Sequence, residues 1–431
     1  MQLIDNIKNE FQQYMSEAKG LPDGSVPLRE QAFAEFERLG FPTHKNEEWK
    51  YTSFKSISDK TFQSGSALSS NAEKLLKESL LAKIETNRLV FVNGFFSKGL
   101  SNIIEQDGGI IISNINSAKK DHQKILEAHL GKYAKIENEA LNALNTALMN
   151  DGAFVLIPSN KTLKYPVLIV NITDAGEMNV LSQPRNLIVL EKNASLELIE
   201  MYYSTGANVS FTNVVTEVYA GENSNLEHYK VQQESGESYQ NNFTQVFQEA
   251  NTNINHVTLT LDGTLVRNDL HFLMNGENCN SLLYGLYITD KKNHVDNHTR
   301  VDHAKPNCFS NELYKGILKE KSTAVFNGKI IVHIDAQKTN AYQRNQNILL
   351  SEEATVNTKP QLEIFADDVK CTHGATIGRL DEEPMFYLRS RGIPEEPARK
   401  LLLNAFADEI AEMIKIPELV QVLEGEIERK L

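Results

Sequence analysis

Residues 221–226 read GENSNL, a polar turn that leads directly into the strand-like run EHYKVQQ. Three related turns surround it: EKNASL at 191–196, EANTNI at 249–254 and GENCNS at 276–281. Their first asparagines step by 30, 28 and 27 residues. A turn of near-constant period followed by a strand predicts a stacked β-solenoid, because each coil covers its apolar face only by lying on the next. Asparagine suits the corners, since it adopts left-handed backbone angles at little cost.

The solenoid pattern extends over the middle of the chain. Between about residues 154 and 365, short alternating β-branched runs replace any lasting helical period. Periodicity leaves a large β-sandwich of hairpins open as the alternative. Helical patterns flank this region. The sequence therefore predicts a mainly helical α/β domain over residues 1–152, a β-solenoid core over 153–380 and a helical domain over 381–431.

The C-terminal domain contains two amphipathic helices. Pro394 and Pro397 start the first helix, and the second follows Pro417. The apolar stripe of the first helix consists of Leu402, Phe406, Ile410 and Met413. We expect part of this surface to pack on the end of the solenoid and the rest to serve a partner.

Composition excludes several classes of function. The 431 residues include no apolar run near the roughly 18 residues of a membrane helix. A formal net charge of −13 argues against a general nucleic-acid binder. The amino terminus, MQLID, lacks the basic and then apolar order of a signal peptide, so we expect a cytoplasmic protein. Cys279, Cys308 and Cys371 are too few and too far apart for a disulfide framework or a closed zinc site, which predicts free thiols.

A thiol and an imidazole stand two residues apart in the run ADDVKCTHGATIG at 366–378. In a strand, residues i and i+2 lie on one face, so Cys371 and His373 would be side by side and could hold a soft metal such as iron. Two ligands do not complete a metal site. The alternative from the residues alone is a buried structural thiol beside a histidine bonded to the backbone.

Two further polar clusters have structural interpretations that we prefer. His294, His298 and His303 read as an ordered loop or a network at a solenoid corner rather than a metal site. The polar runs at 232–234 and 337–347 read as side-chain ladders inside a solenoid rather than a sugar-binding groove. The sequence has neither a Gly-x-Ser-x-Gly elbow nor a phosphate-binding loop, so it supports neither nucleophilic catalysis nor ATPase activity.

Several motifs together resemble a known family, the SufB/SufD scaffold proteins of iron–sulfur cluster assembly. The C-terminal motifs are HVD at 294–296, LYKGIL at 313–318, VFNG at 325–328, ADDVKCTHGATIG at 366–378 and FYLRSRGI at 386–393. The segment EEWKYT at 47–52 resembles the amino-terminal signature of the SufD branch. The resemblance implies a right-handed parallel β-helix as the core. It also implies pairing with a SufB-like subunit and binding of the ABC-type ATPase subunit SufC.

The resemblance assigns roles to particular residues. His373, and with it Cys371, would lie at the contact with the SufB-like partner and could hold iron or a nascent cluster transiently, with no tightly bound cofactor. Near Ala354 and at Gly374, where the SufB branch carries a cysteine and a glutamate, this chain has neither. The SufC docking region would comprise Phe386, Tyr387, Arg391, Ile393, Leu402 and Phe406.

Three questions stay open at this stage. A β-helix polysaccharide lyase or hydrolase and a self-sufficient iron–sulfur carrier are the alternative functions. The sequence also leaves open whether the isolated chain forms a homodimer and whether a flavin visits the assembled complex.

Overall fold

The computed structural model describes residues 2–18, 25–79, 84–104 and 108–430, so Met1 and Leu431, the outer ends of the predicted domains, lie outside it. The described N-terminal region consists of helices α1 (Gln2–Ala18), α2 (Val26–Leu39), α3 (Ser70–Glu78), α4 (Ile115–Asp121), α5 (Gln123–His129) and α6 (Ala140–Leu148), with strands β1 (Asn87–Val92), β2 (Phe95–Phe96) and β3 (Ile111–Asn114). Short 3-10 helices occur at Glu47–Trp49 and Lys55–Ile57. The C-terminal helices are α7 (Glu382–Ser390), α8 (Glu395–Ala411) and α9 (Pro417–Lys430).

The central strands form the solenoid. In chain order they are β4 (Ala153–Ile157), β5 (Val167–Asp174), β6 (Val180–Ser182), β7 (Arg185–Leu190), β8 (Ser195–Thr205), β9 (Ser210–Ala220), β10 (Asn225–Glu234), β11 (Ser238–Gln248), β12 (Asn253–Asp262), β13 (Leu265–Met274), β14 (Asn280–Thr289), β15 (His294–His303), β16 (Phe309–Leu318), β17 (Thr323–Val332), β18 (Asn340–Leu349), β19 (Thr355–Ile364) and β20 (Lys370–Gly378).

These strands stack into two sheets. Sheet 1 has the order β2-β1-β5-β8-β10-β12-β14-β16-β18-β20, and sheet 2 has the order β19-β17-β15-β13-β11-β9-β7-β4-β3, with β6 beside β9. From β7 onward, successive strands alternate between the sheets. Neighbouring solenoid strands pair in parallel, as β16 does with β18. The predicted solenoid of the mainly β class is therefore confirmed, with about eight turns. Strands β1–β3 continue both sheets across the predicted boundary at residue 152.

Asparagine forms the corners, as the sequence predicted. Asn193, Asn223, Asn251 and Asn278 have φ angles of 59°, 60°, 61° and 57°, in the left-handed region. Their side chains stack along the solenoid: Nδ2 of Asn223 donates to Oδ1 of Asn193 at 2.9 Å, and Nδ2 of Asn278 donates to Oδ1 of Asn251 at 3.1 Å. The repeat therefore follows from a backbone geometry that asparagine tolerates well.

The interior contains polar as well as apolar rows. The polar runs at 232–234 and 337–347 contribute buried side chains that bond to one another rather than line a groove, as the ladder interpretation predicted. For example, Gln232 donates to Asn268, and Asn347 donates to Asn345. The glycine of LYKGIL has a packing role: a Cβ on Gly316 would lie 2.2 Å from a ring carbon of Tyr287.

Helices cover the outer faces of both sheets. The N-terminal helices α1, α2 and α6 share an apolar cluster with residues of sheet 2, such as Phe211. The C-terminal helices α8 and α9 share a cluster with outward-facing residues of sheet 1, such as Tyr229. The expectation that the C-terminal helices pack on the end of the solenoid is wrong. They lie along its side, because the outer face of sheet 1 carries apolar residues that α8 and α9 cover.

The buried stripe of α8 also differs from the prediction. Leu403, Ala407, Ile410 and Ala411 are its buried apolar residues, together with Ala398. The predicted Leu402 and Phe406 are half-buried beside them. Ile410 is buried as predicted, whereas Leu403 and Ala407 occupy the places expected for Leu402 and Phe406. Met413 follows the helix and is half-buried. No helix in the described part of the chain is both long and apolar enough to cross a membrane.

Candidate functional site

The C-terminal end of the solenoid is open. Strand β20 is the last strand of sheet 1 and β19 is the last strand of sheet 2, and both are half-buried or exposed along their whole length. At the other end, each sheet finishes with a short antiparallel strand: β2 has two residues and β3 has four. Short edge strands restrict further pairing, whereas strands of ten and nine residues leave long free edges.

Cys371 and His373 lie on this terminal coil. Their register partners on β18 are Ala341 and Gln343, which are fully buried, so both residues belong to an inward-facing row. They remain accessible because no further coil covers them. Cys371 is half-buried and packs against the core, and His373 is exposed. The shared face that the spacing predicted is confirmed.

The pair supplies one soft and one borderline metal donor. Burial raises the pKa of the Cys371 thiol, so the neutral thiol is favoured until a metal or a positive charge approaches. The described residues contain no group of three or more His, Cys, Asp or Glu side chains that could hold a metal ion. Cys371 and His373 could supply two of the four ligands of an iron site, and the remaining ligands would have to come from outside the described residues.

A buried polar pair lies behind His373. Gln343 donates from Nε2 to Oε2 of Glu312 at 3.2 Å, and the same oxygen accepts from the hydroxyl of Thr299 at 2.6 Å. Burial raises the pKa of Glu312 to about 7, against the lowering effect of these two hydrogen bonds. The sequence pattern indicates Gln343 only as part of a polar ladder and does not indicate Glu312. The only sequence signal for Glu312 is its spacing along the strand, and this spacing can be interpreted only when the register between the strands is known.

Two of the three cysteines are neighbours in the fold. Cys279 and Cys308 immediately precede Asn280 and Phe309, which are register partners on β14 and β16. Both thiols are fully buried and free, and both donate to the carbonyl oxygen of Gly276, at 3.2 and 3.4 Å. The prediction of free thiols is confirmed. The sequence separation hid their proximity, because one complete coil of the solenoid separates them.

The segment EEWKYT is fixed on the outer face of sheet 2. Its Trp49 ring lies under the guanidinium of Arg267, with 3.8 Å from Cζ to the ring centroid. Arg267 also donates to the backbone oxygen of Glu48 at 2.7 Å and forms a buried ion pair with Asp296 at 2.7 Å. Lys359 of the terminal strand β19 pairs with Glu47 at 2.7 Å. The segment therefore links the N-terminal region to the open end.

The histidine cluster belongs to this contact. His294, His298 and His303 all lie in the regular strand β15, so the prediction of a loop or a corner is wrong. His294 and His298 share the outer face and His303 points inward, because residues four apart lie on one side of a strand and residues five apart do not. His298 bonds to Asp296 at 2.9 Å and to Glu48 at 3.3 Å.

The charges of this contact stabilise one another. The hydrogen bond with His298 lowers the pKa of Glu48 to about 2. Burial and Arg267 lower the pKa of His298, but Asp296 and Glu48 outweigh them and the pKa is raised. His303, in contrast, has its pKa lowered to about 4 by burial and bonds to the hydroxyl of Ser310 at 2.9 Å. These contacts make the cluster a hydrogen-bonded network.

The residues predicted to dock an ATPase lie on or beside α7 and α8. Phe386 is 75% exposed and Tyr387 is 57% exposed, which is unusual for aromatic side chains. The guanidinium of Arg391 lies 5.3 Å from the centroid of the Tyr387 ring. Ile393, Leu402 and Phe406 are half-buried. We call this surface, which also includes Leu401 at 50% exposure, the α7–α8 face.

The two positions that distinguish the branches of the resembled family lie near the open end. Ala354 is buried in the turn before β19, and Gly374 lies on β20 beside His373. A Cβ on Gly374 would meet no atom within 4 Å. The space for a longer side chain is present, so the glycine is not required by packing.

Fold and site together define a β-solenoid protein with an unfinished terminal coil. Two family models match it: the SufBD core domain of SUF-system iron–sulfur cluster assembly over residues 171–406, and the SufBD N-terminal region over residues 9–169. The chain therefore belongs to the SufBD family of iron–sulfur cluster assembly proteins.

Individual relatives agree with the family models. An iron–sulfur cluster assembly SufBD family protein of Synechocystis is 34% identical over 96% of this chain and 93% of its own length. The iron–sulfur cluster assembly protein SufD of Escherichia coli is 32% identical over 99% of this chain and 98% of its own length. SufD of Bacillus subtilis is 27% identical over the same shares. The resemblance to the SufD branch is confirmed.

Proposed function

We propose that this chain is a non-catalytic scaffold subunit of the SUF machinery that works in the cytoplasm. In this proposal it pairs through its open end with a SufB-like subunit, binds a SufC-like ATPase and helps iron to enter at the shared interface. The observation that carries the proposal is the contrast between the two ends of the solenoid. Short antiparallel strands terminate one end, and long free edges bearing Cys371 and His373 form the other.

The free edge of β20 is suited to pairing with another strand. The backbone N–H of Lys370 donates to the carbonyl oxygen of Thr339, so the backbone groups of Lys370 face the β18 side. Because alternate residues of a strand direct their backbone groups to opposite sides, those of Cys371, His373 and Ala375 face the free edge. A partner strand would gain these hydrogen bonds, and side chains would set its register. In isolation, a second copy of this chain could use the same edge to form a homodimer.

Exposed apolar residues around the open end of the solenoid also favour a SufB-like solenoid as the partner. Ile364, Phe365 and Ile377 are 41%, 58% and 47% exposed around the opening. Half-buried Val356 and Leu362 continue the core toward the mouth. Another solenoid end with an apolar interior would bury these side chains and extend the core, which is the main favourable term in association.

Iron or a nascent cluster is cargo in this proposal. Cys371 and His373 would provide two ligands, and the SufB-like subunit would provide the others. Because burial raises the pKa of Cys371, binding a metal would release its proton, and affinity would increase with pH. A site divided between two subunits releases its contents when the subunits move apart, which suits transient storage.

ATP hydrolysis would come from the SufC-like subunit. The exposed aromatic residues of the α7–α8 face, with Arg391 beside Tyr387, have the composition of an interface hot spot. Helix α8 also contacts sheet 1 directly: Lys315 of β16 donates to the backbone oxygen of Phe406 at 2.9 Å. A shift of the helices on ATPase closure would therefore be transmitted to the solenoid and strain the subunit interface.

An edge-blocking substitution tests the pairing. In Ala375→Pro the lost N–H faces the free edge, and edge strands tolerate proline in such positions. We expect the tagged variant to fold but to lose the SufB-like subunit in co-purification. The matched control is Gly374→Ala, which should retain it, since that position is open. Full recovery of the SufB-like subunit with the proline variant would refute pairing through this edge.

A side-chain substitution tests the role in iron entry. We expect His373→Ala to leave the complex assembled but to slow the maturation of a reporter iron–sulfur protein in cells. Thr372→Ala, which alters the neighbouring exposed residue on the other face of β20, is the control. Normal maturation with His373→Ala would remove this histidine from the mechanism.

A further inference from the structure

Gln343 lies directly behind His373 in the interior. Its register partners are Glu312 on β16 and His373 on β20, so the three side chains occupy one inward-facing row on successive strands. Gln343 and Glu312 are fully buried, whereas His373 is exposed. The Gln343 amide is therefore the last buried polar group before the imidazole.

The orientation of the amide is fixed from two sides. Its Nε2 donates to Oε2 of Glu312, which belongs to the preceding coil. Gly328, in sheet 2, provides the space for it: a Cβ there would lie 2.2 Å from Nε2 and 2.6 Å from Cδ of Gln343. Thr299 holds the Glu312 carboxyl group in place. The glycine of VFNG is thus a cradle for this side chain.

The other branch of the amide lacks a partner. Oε1 of Gln343 is buried and accepts no hydrogen bond from the described residues. Buried carbonyl oxygens in this state are rare, because leaving one unpaired is unfavourable. Since Nε2 is bound to the preceding coil, Oε1 diverges from that direction. The donor next along the row is the imidazole of His373.

We propose that Gln343 is a positioning residue for His373. In the structure Oε1 and the imidazole are not hydrogen-bonded. In this proposal the exposed ring turns inward, so that Oε1 accepts a hydrogen bond from one ring nitrogen, which fixes the tautomer and leaves the lone pair of the other nitrogen directed at the shared interface. Histidine ligands commonly donate their second ring N–H to such an acceptor. The inference rests on the proposed function only in naming iron as the species that the second nitrogen binds.

Nitrogen NMR of the full-length chain, labelled with ¹⁵N-histidine and free of metal, tests the inference. The spectrum is recorded at alkaline pH, where an exposed imidazole is neutral, and His373→Gln identifies the resonance. We expect one dominant tautomer in the unsubstituted chain. In Gln343→Met, which keeps the length but removes the acceptor, we expect the mixture of tautomers that is typical of a solvated imidazole.

Two further variants sharpen the test. Gly328→Ala keeps the Gln343 amide but should displace it, and should therefore also produce the mixture of His373 tautomers. Gln346→Met is the matched control, because Gln346 lies on the same strand but faces outward, and it should leave the tautomer unchanged. In the complex with the SufB-like subunit, Gln343→Met should weaken Fe²⁺ binding about ten-fold, at the lower end of the effect of such partners.

The outcomes separate this inference from the proposed function. A mixture of tautomers in the unsubstituted chain overturns the inference, even if both variants fail to fold. The same holds if Gln343→Met and Gly328→Ala fold and retain the dominant tautomer. Neither result bears on the iron role of His373, which the maturation assay with His373→Ala decides by itself.

Discussion

Replacing Glu312 by glutamine should make the stability of the protein less dependent on pH. The Glu312 carboxyl group is fully buried, and burial raises its pKa from 4.5 to about 7. The folded chain therefore holds a proton between pH 4.5 and 7 that the unfolded chain has already released. Below pH 4.5 Glu312 does not lower the free energy of unfolding, because it is protonated in both states. As the pH rises from 4.5 through 7, the free energy of unfolding falls. Glutamine is neutral throughout.

The magnitude follows from the size of the shift. Each unit of pKa difference corresponds to about 1.4 kcal/mol, so the ionised carboxylate lowers the free energy of unfolding by roughly 3 kcal/mol above pH 7. At pH 5 the two proteins should differ by no more than about 1 kcal/mol, the typical net value of an altered hydrogen bond. At pH 8.5, Glu312→Gln should therefore be the more stable protein by roughly 2 to 3 kcal/mol.

Denaturant unfolding at a series of pH values from 5 to 8.5, followed by circular dichroism, measures the difference between the two proteins. The control is Glu352→Gln, which alters a side chain that is 88% exposed. Its difference from the unsubstituted protein should be small at every pH. If the difference between Glu312→Gln and the unsubstituted protein were equally constant over this range, the assignment of a raised pKa to Glu312 would be refuted.

Two further predictions concern packing and the N-terminal contact. Gly316→Ala should lower stability by about 1 to 3 kcal/mol, because its Cβ would overlap a buried tyrosine ring, whereas Gly374→Ala should be neutral in thermal unfolding. Arg267→Ala should cost about 3 to 5 kcal/mol by removing one charged partner of the buried Asp296 carboxylate, and fluorescence should show Trp49, the only tryptophan, becoming more exposed. The control is Arg300→Ala, which removes a side chain that is 46% exposed. A loss of stability in Arg300→Ala equal to that in Arg267→Ala would contradict the expected effect of burial.

Local backbone geometry was the part of the fold that the sequence could predict. Asn193 and Asn223 mark corners because few residues accept a left-handed φ, and this restriction acts on each residue separately. The shared face of Cys371 and His373 was equally predictable from the sequence, since two residues that are two apart need only lie in a strand to share a face. Predictions of this kind depend on two or three consecutive residues and not on the register between coils.

Features that depend on the register were missed. Cys279 and Cys308 are neighbours only because their coils stack in one particular alignment. Trp49 and Arg267 meet across the outer face of sheet 2, which no local pattern indicates. The histidines of β15 were misread because three residues were treated as one group, although only His294 and His298 share a face. The C-terminal helices were misplaced because their amphipathic pattern does not say which apolar surface they cover.

Glu312→Gln removes the charge of Glu312 but keeps an oxygen that can accept its hydrogen bonds. The same variant therefore also tests how Gln343 is held in place. Both Thr299 and Gln343 donate to the same oxygen of Glu312. In Glu312→Gln, two donors favour the carbonyl oxygen rather than the amide nitrogen at that place, so the Gln343 amide should keep its orientation. The variant should then lose the part of the pH dependence of stability that Glu312 causes, while His373 retains its dominant tautomer. A change of tautomer in this variant would mean that the charge of Glu312, and not its geometry, controls the imidazole.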